Sequence, residues 1–109
     1  MAIDQGLVEV MREDMAHLDG IKEVRMFGGI CFMHRGHMLC GIHKDGALYR
    51  VGKERHSEAL ALDGVGPMTM TGRSMGGLVD VGTGAMADDA LRAHLLEMAL
   101  EFTASLPAK

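Results

Sequence analysis

Aromatic side chains are scarce in this chain, which has no tryptophan, one tyrosine and three phenylalanines among its 109 residues. Proteins that grip nucleic-acid strands usually stack bases on aromatics within a cationic groove. Here most of Phe27, Phe32, Tyr49 and Phe102 fall inside apolar strand or helix patterns, so direct nucleic-acid binding is not expected. Long apolar runs are also missing. No stretch approaches the roughly 18 apolar residues that a membrane-spanning helix requires. The N-terminus carries Asp4 and Glu9 where a secretory leader would have a basic start and an apolar stretch, so a cytoplasmic location is expected. Cysteine is limited to Cys31 and Cys40, which suits a compartment where thiols stay reduced.

What is present describes one folded domain, residues 1–109. Apolar residues make up 48% and charged residues 24%, the balance of a globular protein rather than a disordered one. The net charge of −4 is unevenly spread. Residues 1–21 carry one base and five acids, residues 22–73 eight bases and five acids, and residues 74–109 two bases and five acids. A basic middle between acidic ends resembles a nucleic-acid footprint, but its excess of positive charge is small.

Periodicity then assigns elements. Ile3, Leu7, Val10, Met11, Met15 and Leu18 recur at three- and four-residue steps, which predicts an amphipathic helix capped by Asp4 and stopped by Gly20. From residue 23 the period becomes that of strands: Glu23–Phe27, Ile30–His34, Met38–His43 and Ala47–Val51. Arg35-Gly36 and Lys44-Asp45-Gly46 connect the last three, and each places glycine last, as a type I turn with a bulge requires. A short helix is predicted over 53–62, strands over 67–71 and 78–82 with the loop 72–77 between them, and a final helix over 88–105. That last helix carries an apolar stripe of Leu91, Leu95, Met98, Phe102 and Leu106. The expected fold is α+β: a two-layer domain whose antiparallel sheet of five to six strands packs with three helices, in the order helix, three or four strands, helix, two strands, helix.

Several landmarks occur in this order. They are Met26-Phe27-Gly28-Gly29, then Gly41-Ile42-His43-Lys44-Asp45-Gly46, Arg50-Val51-Gly52, Pro67-Met68 and Gly72-Arg73-Ser74-Met75. Together they resemble the N-terminal domain of the TfoX/Sxy competence regulators over about residues 10–107. The resemblance implies a helix-flanked antiparallel sheet and a neighbourhood of transcriptional co-regulation, and it supplies no catalytic residues. Longer members carry a C-terminal helical domain, which is not found up to Lys109 here. Ser74 stands where the family often has proline, and Gly77-Leu78 where an aromatic residue is common.

The sharpest chemical pattern is Cys31-x-x-His34 with Cys40-x-x-His43, two thiols and two imidazoles of the kind zinc takes. Strand geometry opposes convergence, because residues three apart in a strand point to opposite faces. A two-residue turn would set Cys31 directly across from Cys40. A three-residue turn, preferred because arginine disfavours positive φ, would set it across from Leu39. The expectation is two free, largely buried thiols, no metal and no cofactor.

Gly82-Thr83-Gly84-Ala85-Met86-Ala87 mimics a dinucleotide fingerprint but lacks the following parallel strand and acidic residue, so it reads as a turn. No serine or cysteine sits in a nucleophile elbow, and Ser57 beside His56 on a helix diverges from it, so no enzymatic activity is expected. Arg50 and Arg73 are candidate anion contacts, and Met68, Met70 and Met75 around the glycine-rich loop are candidate partner contacts. With three-residue turns, one sheet face would carry Cys31, Met33, Leu39, Tyr49 and Val51. The other would carry Ile30, Phe32, Met38, Cys40, Ile42 and Leu48. Two apolar faces exceed what one helical layer covers, so the domain is expected to meet a protein partner or a second copy of itself. The alternative is a small metal- or ligand-binding protein using the Cys/His hairpin or the 72–77 loop.

Overall fold

The computed structural model describes residues 3–26, 28–70 and 73–107. Helix α1 (Gln5–Asp14) is followed by strands β1 (Ile21–Met26), β2 (Gly29–His34), β3 (His37–His43) and β4 (Gly46–Arg50). Then come α2 (His56–Leu60), β5 (Val65–Met70), β6 (Arg73–Gly82) and α3 (Asp89–Ala104). The strands form one antiparallel sheet in the order β1-β2-β3-β4-β6-β5, so the segment after β4 crosses over and returns β6 beside it. This is the two-layer α+β domain that the periodicity implies.

Helix ends follow their caps. Asp4 accepts from the amides of Gly6 and Leu7, and Asp88 from those of Ala90 and Leu91, satisfying donors that a helix start leaves free. Helix α1 stops one turn before its apolar stripe does. Ala16 and Leu18 bond to carbonyls three residues back, while Met15 stays buried and Gly20 (φ +80°) turns the chain into β1. Arg12 returns to the sheet with a two-pronged contact to Glu23 of β1, both at 2.7 Å. The end of the chain is pinned too, by a 2.6 Å contact between His37 Nε2 and the Pro107 carbonyl.

Both hairpin turns differ from expectation. His34 pairs with His37, leaving Arg35 (φ +53°) and Gly36 (φ +89°) as a two-residue turn whose twist matches that of its strands. The unfavourable arginine conformation is offset by this fit and by the Arg35 amide donating to the Gly20 carbonyl at 3.3 Å. A bulge at Leu39 then shifts the register, so Cys31 faces Gly41, and Cys40 faces Phe32. In the next hairpin His43 pairs with Gly46, which slips β4 by one residue against the predicted register. Such a slip exchanges faces. Tyr49 and Val51 therefore join Ile30, Phe32, Leu39, Cys40 and Ile42 in the core, while Met38 and Leu48 move to the face of Cys31 and Met33.

All buried apolar helix residues converge on that first face: Val8 and Met11 from α1, Ala59 from α2, and Leu95, Leu96, Met98 and Ala99 from α3. The final helix buries Arg92 and Thr103 where the predicted stripe had Leu91 and Phe102, which are half-buried. The predicted 72–77 loop is corrected as well. Residues 73–77 belong to β6, with Ser74 opposite Thr69 and a bulge beyond Pro67. The Gly82–Ala87 segment is a turn with a short 3-10 stretch that inserts Met86 into the core.

Candidate functional site

The Cys/His hairpin does not assemble into a metal centre. Cys40 lies on the core face, fully buried, with its Sγ 3.7 Å from Met15 Sδ. Cys31 lies on the opposite face, across from Gly41, where a Cβ would come within 2.7 Å of the Ile30 carbonyl oxygen. Both thiols are free and buried, and burial pushes both up, Cys40 more strongly. His43 has both nitrogens committed: Nε2 meets Asp80 at 2.5 Å and Nδ1 accepts from the Asp45 amide at 3.1 Å. His34 sits at the far end of β2, beside the turn. No group of three or more His, Cys, Asp or Glu among the described residues is placed to hold an ion.

Register lays out the face opposite the helices. Val24, Cys31, Gly41, Leu48, Asp80 and Gly66 form one row across all six strands. Lys22, Met33 and Met38 form part of the next row, and Arg50 pairs with Leu78 beside it. Val24, Met33, Met38, Leu48 and Leu78 are all half-buried, and none belongs to the residues packed on the core; Met68, also half-buried, sits unpaired in the β5 bulge. Cys31 is the one buried apolar residue outside the core cluster among the described residues. The second face therefore carries apolar side chains that lie outside the helix-covered core, interspersed with Lys22, Arg50 and Asp80. The side chains of Met70, Arg73 and Met75, the other expected contacts, lie outside the described residues, as does Phe27.

A cleft of about 590 Å³ opens where β4 ends, between the start of α2 and the end of α3. Its floor is backbone. The amides of Val51 and Gly52 both donate to the Gly77 carbonyl, at 2.8 and 3.1 Å. Gly52 and Gly77 hold φ near +87° and +88°, and a Cβ on Gly52 would meet the Phe102 ring at 2.4 Å. The Arg50 guanidinium lies over that ring, 5.1 Å from its centre. Arg55 closes the opposite wall, paired with both Glu58 and Glu101.

A family model described as the TfoX N-terminal domain matches residues 13–103. The chain belongs to this family. No significant match is found among curated proteins or among solved structures. The TfoX match covers every strand, α2 and nearly all of α3, but only the last two residues of α1, and it spans the open face and nearly all of the cleft lining.

Sequence reasoning named Arg50 as a candidate contact and Gly52 within its landmark, but it did not bring Lys53 or Phe102 to the same site. It also missed Arg92, a buried cation that donates to Asp14 (3.0 Å), Asp89 (2.6 Å) and the Met86 carbonyl (2.7 Å). The spacing of Asp89 and Arg92 on one helix face was the available signal. Asp80, a lone acid within the apolar pattern Leu78–Val81, was the signal for a partner to His43.

Proposed function

We propose that this TfoX-family domain is a non-enzymatic protein-interaction module, accessory to transcriptional regulation, that engages a protein partner through the open face of its sheet. One observation carries the reading: five half-buried apolar side chains, Val24, Met33, Met38, Leu48 and Leu78, share with Cys31 a sheet face that receives none of the buried helix residues. Soluble monomers seldom expose a contiguous apolar patch of this kind without using it. Two of the five are methionines, whose flexible side chains adapt to varied partner surfaces. The family assignment supports the regulatory setting. The free, protonated thiols suit the cytoplasm, and no helix among the described residues is long and apolar enough to cross a membrane.

Site-specific photo-crosslinking tests the proposal. A crosslinker at Leu48 is expected to trap a protein in the cell, whereas one at Glu97, on the exposed side of α3, is not. Leu48→Lys should block capture from a neighbouring probe at Met33. Equal capture from both faces, or none from Leu48, would overturn it. A covalent dimer of this chain would identify the partner as a second copy.

A further inference from the structure

We infer that the cleft at the end of β4 is a binding site for a small organic anion, with Arg50 and Lys53 holding its phosphate or carboxylate group. The inference rests on Arg50, Lys53 and the cleft floor rather than on the apolar side chains of the open face, and survives or fails independently of the proposed contact there.

The chain is acidic overall, with 15 acids against 11 bases, yet the cationic side of this cleft is not neutralised. Among the described residues, Arg50 and Lys53 form no ion pair. Arg55, the third cation, is taken by Glu58 and Glu101, which makes that wall locally neutral. Glu54 is the one remaining lining carboxylate, and it is exposed. Arg50 is held in place by the Phe102 ring beneath it, so its planar fork of donors loses little freedom on meeting an oxyanion. The Phe102 ring is itself fixed against Gly52, whose missing side chain lets it approach. Lys53, exposed, adds a second charge to the lining.

The floor favours a ligand with a body rather than a bare ion. Gly52, Gly77 and Val51 leave it without protruding side chains, and the paired amides on the Gly77 carbonyl make it rigid. The volume, about 590 Å³, falls inside the range of roughly 300–1,000 Å³ typical of small-molecule sites.

Amide and Arg Nε NMR shifts, followed at constant ionic strength during titration with inorganic phosphate and separately with acetate, test the site. Saturable shifts are expected at Arg50 Nε and at the amides of Val51, Gly52, Lys53 and Gly77. Arg50→Gln should weaken binding about tenfold, as loss of a charge-assisted contact implies. Lys53→Gln, at an exposed position that keeps the fold intact, should weaken it severalfold, and Lys44→Gln on the distant hairpin should not change it. Tighter binding of phosphate assigns a phosphoryl ligand, and equal or tighter binding of acetate a carboxylate. The inference is overturned if neither ion gives saturable shifts at the cleft, or if Lys53→Gln and Lys44→Gln behave alike.

Discussion

The two faces of the sheet are built from the same strands and nearly the same residue types, yet they have opposite fates. On one, Phe32, Cys40, Ile42, Tyr49, Val79 and Val81 are almost completely buried beneath three helices. On the other, Met33, Met38, Leu48 and Leu78 lie along the same strands and remain only half-buried. Hydropathy does not distinguish the faces; covalent connection does. Every helix returns its apolar side to one face, and nothing among the described residues returns to the other. The first face therefore stabilises the fold, while the second is free to be selected for contact.

The largest test of this division is on the covered side. Phe32→Ala should destabilise the domain by about 3–5 kcal/mol in urea unfolding, the usual cost of emptying a packed aromatic site. Arg92→Ala belongs to the same class. It would leave Asp14 half-buried without its partner and should cost about 3–5 kcal/mol, whereas Asp89→Asn, at an exposed carboxylate, should cost under about 1 kcal/mol. If Met33→Ala matched Phe32→Ala in cost, the open face would be structural and the division would fail.

Most of the architecture was legible before any coordinates. The helix caps at Asp4 and Asp88, the element order and the pairing of consecutive strands follow from residue types whose local physics is strong. The assignment of side chains to faces was not legible, because it depends on turn length to the single residue. The steric objection to Arg35 at positive φ is sound in isolation. It fails here because the strand twist and the Gly20 contact favour the tighter turn. The cleft was half legible. Arg50-Val51-Gly52 stood out as a motif, but Phe102 and Gly77 reach it only through the crossover that brings β6 beside β4 and α3 over the sheet. No local pattern encodes that approach.

The two cysteines sharpen the comparison at intermediate effect, since one lies on each face. Burial raises both thiols, Cys40 further than Cys31, so neither is a ready nucleophile at neutral pH. In native protein a maleimide should label Cys31 at least about tenfold faster than Cys40, read by mass spectrometry, because Cys40 must await opening of the core. The protonated thiols also favour the folded state. That contribution is complete below the unfolded thiol value of about 8.5 and is lost as pH rises from there towards the folded values. Unfolding midpoints should therefore fall between pH 8 and pH 10 more in wild type than in Cys40→Ala, measured against each protein's own value at neutral pH.

The smallest effect on stability should come from the substitution with the largest effect on contact. Leu48 pairs with Gly41 and Asp80 at the centre of the open face, half-buried and outside the residues packed on the core. Leu48→Lys removes apolar area that folding never fully buried, and its charge can remain hydrated. The unfolding free energy should change by no more than about 0.5 kcal/mol, as for surface sites generally. Binding of a hydrophobic dye to the native protein should fall, and any self-association seen by sedimentation should fall with it. The paired measurement is what discriminates: a large loss of stability would show that Leu48 belongs to the core, and unchanged dye binding would show that the apolar patch lies elsewhere. Only a variant that stays folded while losing contact separates a face that holds the domain together from a face that the domain offers outward.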